Sequence, residues 1–380
     1  MSQSRYSFPT TIHFGPGTRN LVAAHLKAQG YKRPLLVTDK ALARLDVFRQ
    51  FRSLLDAGGL TTATFSDISS NPVKSEVGKG VEQYRDAKCD CIVGFGGGAA
   101  LDIAKAIALM VNHPGDLFDY EDDKPNGRPI NQQIPYWVAL PTTAGTGSEV
   151  GRSAVVSDDK THQKKIIFSP RLLAQVIFAD PELTVGLPPK ITAATGMDAL
   201  THLVEAFLSK GFHPIADGIA LEGLHLVNKS LVKAVKDGND LEARGDMLMA
   251  SMMGAIAFQK GLGLTHSCAH PLSTVADMHH GLANGIMITY ALPFNIPAVA
   301  ERFVRLGEAV GLKDGKPEGF IEWLKAMKKE VGIPERLSDA GIRADQIDRL
   351  SDLAQADVCH GCNPRPVTRA DFHQIFTAAL

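Results

Sequence analysis

The chain has 380 residues, more than one hydrophobic core usually serves, and this favours two domains. Lys and Arg number 40 against 41 Asp and Glu, a net charge of -1, with 44% of residues apolar and 21% charged. That balance excludes a mainly disordered chain and removes the broad positive field on which nucleic-acid and anionic-membrane binders rely, so a small-molecule partner is expected.

Five cysteines, an odd number, and a start (MSQSRYSFPT) without a basic-then-apolar leader favour a reducing, cytoplasmic setting. The uncharged run from Met278 to Ala300 could span a bilayer by length. It contains His279, His280, Asn284, Asn295 and two prolines, and is read as buried protein interior rather than a membrane segment.

In chain order, β-rich runs at Pro34–Thr38, Thr62–Phe65, Asp90–Phe95, Tyr136–Leu140 and Gln175–Phe178 alternate with helical patterns, the signature of parallel strands crossed over by helices. After Pro188-Pro189 the β pattern gives way to helical periodicity over about 191–209, 215–236, 240–258, 297–310, 318–330 and 369–380. The prolines between Asp180 and Pro189 mark the join. The expected architecture is an α/β dinucleotide-binding domain with a parallel sheet (1–184) followed by an all-α metal-binding domain (185–380).

Three motifs follow strands in the first half. Ile92 to Lys105 reads as strand, glycine turn and helix start. Gly97, Gly98 and Ala99 would let backbone N–H groups approach a pyrophosphate, though a tight structural turn is the plainer alternative. Asp39, at the end of the first of these strands, could accept both ribose hydroxyls of NAD and repel the extra phosphate of NADP, or simply cap the following turn. Pro141 to Glu149, with Thr142, Thr143 and Thr146, is a hydroxyl-rich loop able to wrap phosphate and ribose.

The second half carries Asp198 and His202 four residues apart, His266 and His270 at the same spacing, and His279-His280 soon after. One carboxylate with several imidazoles suits Fe(II) or Zn(II) and is too nitrogen-rich for magnesium or calcium. Cys359-x-x-Cys362 has no matching second pair and is read as two thiols in or near a loop.

Taken with Phe14-Gly15-Pro16-Gly17, Val37-Thr38-Asp39, Gly196–Glu205, His280-Gly281-Leu282-Ala283-Asn284 and Asn363-Pro364-Arg365, these motifs resemble the iron-containing alcohol dehydrogenases nearly end to end. That family shares its fold group with glycerol dehydrogenase and dehydroquinate synthase. The resemblance implies a dehydroquinate synthase-like fold with the active site in the interdomain cleft. It implies Asp198, His202, His266 and His280 as metal ligands, and His270 as a nearby histidine that could relay a proton or orient the alcohol. On the cofactor side it implies Asp39 at the adenosine ribose and Gly97, Gly98 and Ala99 at the pyrophosphate, with Asn71, Asp102, Thr142, Thr143, Thr146 and Lys164 along the rest of NAD. Most members have serine where Ala99 stands, so one phosphate hydrogen bond is missing here.

The implied activity is hydride transfer between NAD(H) and a small primary alcohol, diol or hydroxy acid, with Fe(II) or alternatively Zn(II) polarising the oxygen, in a homodimer or larger homo-oligomer. Glycerol-type polyol oxidation and a non-catalytic nucleotide- and metal-binding relative are the competing readings. Arg152 and Lys260 flank the motifs and could meet a substrate carboxylate, although ordinary ion pairs are the simpler account.

Overall fold

The computed structural model describes Phe8, 10–122 and 124–380. Its contacts separate into two compact units. One runs up to Thr143 and resumes over Gly147–Thr184; the other comprises Ala144–Thr146 and Val185–Leu380.

In the first unit the strands are β1 (Thr11–Phe14), β2 (Pro34–Val37), β3 (Ala63–Phe65), β4 (Cys91–Gly96), β5 (Tyr136–Pro141), β6 (Ser153–Ser157), β7 (Lys164–Phe168) and β8 (Val176–Ala179). Six of them form one sheet in the order β1-β8-β5-β4-β2-β3, parallel throughout, and β6 pairs antiparallel with β7. Helices α1 (Val22–Ala28), α2 (Asp46–Ala57), α3 (Lys74–Asp86) and α4 (Gly98–Asn112) make the crossovers. Strands β2, β4 and β8 are buried at every residue, as parallel strands covered on both faces must be.

The chain leaves β2 toward β3 on one side and leaves β4 toward β5 on the other. The β2/β4 boundary is therefore the point where strand order reverses, and the carboxyl edge there is where open parallel sheets hold ligands. Strand β1 lies at the sheet edge with both ends exposed, and the β6/β7 ribbon carries serines and lysines. Neither supplies the apolar run by which buried strands are recognised, and sequence patterning passed over all three.

The second unit is helical: α5 (Pro189–Leu208), α6 (Pro214–Lys236), α7 (Leu241–Ala257), α8 (Leu264–Ala276), α9 (His280–Ala291), α10 (Ile296–Ala309), α11 (Pro317–Glu330), α12 (Ile347–Ala356) and α13 (Arg369–Ala379). Helix α5 is buried at every position from Thr192 to Leu208, its sequence apolar or small apart from the one face that carries Asp198, His202 and Glu205. Gly196 lets α6 press close: a Cβ there would stand 2.2 Å from Leu231 Cδ1.

Helices α8, α9 and α12 escaped the periodicity reading. Helix α8 has Pro271 in its interior and buries serine, threonine and histidine, so its inward face is not apolar. The stretch His280–Ala309 is long and apolar enough to cross a membrane by length and composition, with mean hydropathy 1.3, and 56% of that window is buried within the protein.

Candidate metal centre and cofactor edge

In the second unit α5 presents Asp198, His202 and Glu205 at i, i+4 and i+7, one face of a helix. Helix α8 contributes His266, and His280 is the first residue of α9. Each of Asp198, His202, His266 and His280 offers one ligand atom, and these atoms lie within 4.8 Å of one another. Asp198 Oδ1 is 3.4 Å from His280 Nε2 and 4.0 Å from His202 Nε2. The His202 and His266 rings stack at 4.8 Å. His280 is the most open member, with 23% of its side chain exposed, against 1% for His266. His279, by contrast, is exposed at the α9 N-cap and is not in the group.

The surroundings prepare these side chains for a cation. An ionised carboxylate only accepts hydrogen bonds, so the 2.7 Å contact between Glu205 Oε2 and His266 Nδ1 places the ring proton on Nδ1 and aims the Nε2 lone pair at the group. Burial favours neutral Glu205, but the His266 ring and the Thr265 amide outweigh it and hold the carboxyl below its ordinary range. The backbone N–H groups of Gly263, Thr265 and His266 also donate to Glu205, which therefore caps α8 as well as orienting its histidine.

Burial depresses the His202 pKa to about 4 despite the opposing charge of Asp198, which keeps its imidazole in the neutral form that ligates. Asn284, one turn into α9, directs Nδ2 at Asp198 Oδ1 (2.8 Å), His280 Nε2 (3.2 Å) and His266 Nε2 (3.3 Å). One amide thus faces several converging acceptors. Three imidazole nitrogens and one carboxylate, with lone pairs turned to a single point, fit a first-row divalent ion.

His270 stands outside this group and beside it. Its ring stacks on His280 at 5.3 Å and meets His266 edge-on at 6.0 Å, while Nδ1 donates to Asp357 Oδ2 at 2.7 Å. Glu205, Asn284 and Asp357 were given no role from sequence. Glu205 could have been noticed from its place on the Asp198/His202 face, but Asp357 lies 87 residues from its partner and gives no local signal.

In the first unit the cofactor candidates gather along the carboxyl edge. Register pairs Val37 with Gly94 and Gly96 with Pro141, so the β2, β4 and β5 loops emerge at one level. Asp39 Oδ1 accepts from the N–H groups of Ala41 and Leu42, the capping role, while Oδ2 lies toward the glycine turn, 3.9 Å from where a Gly96 Cβ would stand. A Cβ on Gly97 would come within 3.0 Å of Thr143 Oγ1. Gly97 is the N-cap of α4, and Gly98 and Ala99 open its first turn, partly exposed, with amides that no helical carbonyl takes.

Thr142 is buried, and its N–H donates to Gly96 O. Asn71 lies in the loop between β3 and α3, and Lys164 begins β7. Asp102, one turn into α4, accepts from Ser148 Oγ (2.6 Å), Lys105 Nζ (3.2 Å) and Val155 N (3.0 Å), so its carboxylate ties the segment 148–155 to α4. Thr146 and Gly145 cluster with the helical unit, where a Cβ on Gly145 would sit 2.8 Å from Thr195 Cβ. Lys260 is bonded to Asp217 Oδ1 at 2.7 Å with only 2% of its side chain exposed, which corrects the idea that it meets a substrate carboxylate. Arg152 lies over the Phe168 ring.

A parallel sheet with a glycine turn at its switch point, in a chain whose helical half converges three imidazoles and a carboxylate, defines a metal-dependent, nucleotide-linked oxidoreductase. The iron-containing alcohol dehydrogenase family model matches residues 9–181, and the C-terminal model of the Fe-containing alcohol dehydrogenase family matches 192–380. The 4-hydroxybutyrate dehydrogenase of Cupriavidus necator is 38% identical, over 98% of each chain. A 1,3-propanediol oxidoreductase structure superposes with a TM-score of 0.95 at 34% identity, covering all of both chains. The sulfoacetaldehyde reductase of Bifidobacterium kashiwanohense, solved with NAD+, gives 0.91 at 31% identity over 100% of this chain and 99% of that one.

The chain belongs to the iron-containing alcohol dehydrogenase family. It is an NAD-linked, metal-dependent oxidoreductase that interconverts an alcohol and its carbonyl compound.

Proposed function

We propose that this enzyme acts on a short substrate with a terminal hydroxyl or aldehyde, a primary alcohol, diol or hydroxy acid. Asp198, His202, His266 and His280 hold the ion, and residues 1–184 hold NAD. When bound, the divalent ion supplies Lewis-acid polarisation of the reacting oxygen. Glu205 keeps His266 in the ligating tautomer, and Asn284 donates to the Asp198 carboxylate and orients it. His270, with Nδ1–H committed to Asp357, turns Nε2 out as the acceptor for the alcohol proton or for a water that carries it. Gly97, Gly98 and Ala99 receive the pyrophosphate on backbone N–H groups. Asp39 Oδ2 meets the ribose and selects NAD over NADP by charge. Asn71, Asp102, Thr142, Thr143, Thr146 and Lys164 line the remainder.

The observation that carries this reading is the convergence of four ligand atoms within 4.8 Å. A 38% identical relative named for 4-hydroxybutyrate supports a hydroxy acid within the class. We infer a cytoplasmic homo-oligomer from the same family membership. The test is an anaerobic panel: chelator-stripped enzyme reloaded with Fe(II), Zn(II) or Mn(II), with NADH and NADPH, over short aldehydes, semialdehydes and ketones. Metal-dependent oxidation of NADH with terminal aldehydes is the expected outcome. Full turnover by stripped enzyme would refute the metal role, and a preference for NADPH would refute the role of Asp39.

A further inference from the structure

A second set of ligand-type side chains meets beside the first. His270 on α8, Asp357 at the C-cap of α12 and Cys359 at the start of the following 3-10 turn each offer one ligand atom, all within 4.8 Å of one another. The chain holds the three in place. Ser267 Oγ donates to Asp357 Oδ1 at 2.7 Å, Cys359 N donates to the same oxygen at 2.9 Å, and His360 N donates to Ser267 Oγ at 2.9 Å. Hydride transfer gives no work to a thiol here. Burial and the neighbouring Asp357 carboxylate push the Cys359 thiol well above its ordinary pKa, so it is a poor nucleophile, and a coordinated cation is the ordinary way to make such a thiol a thiolate.

We propose that His270, Asp357 and Cys359 form a second metal site, specific for Zn(II), whose occupation withdraws His270 from the reaction. The carboxylate and thiolate balance the charge of the ion, which suits a half-buried position, and the fourth tetrahedral place is left to water. Zinc bonds of about 2.0–2.3 Å put tetrahedral ligands roughly 3.3–3.7 Å apart. The 2.7 Å hydrogen bond between His270 Nδ1 and Asp357 Oδ2 therefore opens by somewhat over half an ångström as the ion replaces it. The ring proton then resides on Nε2, and the thiol proton leaves to solvent. Sulfur favours zinc over ferrous iron at this site, whereas the Asp198 group contains no sulfur. Binding is independent of the function proposed above; only the inhibition rests on the role of His270.

The test uses full-length enzyme stripped by chelator and titrated anaerobically with Co(II), read by absorbance and metal count, then with Zn(II). Expected are two ions per chain and a thiolate-to-Co(II) charge-transfer band that grows with the second ion. Cys359→Ser should abolish the band and weaken the second Zn(II) by about tenfold or more, the scale on which even outer-sphere partners act. One ion per chain without a charge-transfer band, or a band that survives Cys359→Ser, would overturn the proposal. Loss of the Co(II) d–d absorption from the first ion would count against the Asp198 group and not against this site.

Discussion

The two units solve their binding problems with different parts of the polypeptide. At the sheet edge the groups proposed to meet the cofactor are mostly backbone: the N–H groups of Gly97, Gly98 and Ala99 at the start of α4, with Thr143 close to where a Gly97 Cβ would stand. Around Asp198 they are side chains, two of them held by another: His266 by Glu205 and Asp198 by Asn284. A backbone site tolerates most side-chain changes and fails when a Cβ intrudes. A side-chain site fails at every ligand, and it degrades in steps as its supports are removed.

That contrast can be tested by substitution. The largest effect is expected for Asp198→Ala or His266→Ala: loss of bound metal and a fall in kcat/KM of at least about a thousandfold, several kcal/mol of transition-state stabilisation, with the circular dichroism spectrum unchanged. Next comes Glu149, in the loop that follows β5, buried near Lys105. Burial raises its pKa from 4.5 to about 7, only partly countered by its own backbone and by Lys105.

A carboxyl with a raised folded-state pKa binds its proton more tightly in the folded chain. Its penalty is therefore absent below the unfolded value, grows as pH climbs from about 4.5 to about 7, and is constant above. Glu149→Gln should then stabilise the enzyme at pH 8 by about 3 kcal/mol and leave it unchanged at pH 4, seen as thermal midpoints that diverge with pH. An equal gain at both values would show that packing and not charge is responsible.

Glu205→Gln separates support from ligation. Metal affinity should drop about 10- to 100-fold by equilibrium dialysis, while excess metal restores most of the turnover. Failure of rescue would mean that the cap Glu205 makes on α8, and not only the orientation of His266, is needed for turnover. The smallest change is Ala99→Ser, which adds one hydroxyl at the first turn of α4. It should tighten NADH by about 1 kcal/mol, a severalfold lower KM at constant kcat, because one further phosphate hydrogen bond becomes available.

The legibility of the sequence followed the same division. The Asp198/His202 and His266/His270 spacings are visible because a helix of about 3.6 residues per turn brings residues four apart onto one face. Which imidazoles converge depends on how α5, α8 and α9 pack, and His279 and His280 are indistinguishable until the α9 N-cap is located. The strands β2, β4, β5 and β8 stood out as apolar runs, whereas β1, β6 and β7 are not buried throughout and carry polar residues. Asp39 reads from sequence as either a ribose acceptor or a cap; the structure shows the cap, made through Oδ1 alone. The pairing of His270 with Asp357 joins residues 87 positions apart and could come only from the fold.

Glu205 belongs to the helix that carries two of the proposed ligands and accepts from three amides at the start of α8, which carries the third, those of its N-cap Gly263 and of Thr265 and His266. Protein groups alone therefore tie α5 to α8. The expectation is that chelator-stripped enzyme keeps its circular dichroism spectrum and a cooperative thermal transition. Such a scaffold would offer its ligand atoms to whichever divalent ion reaches it after synthesis.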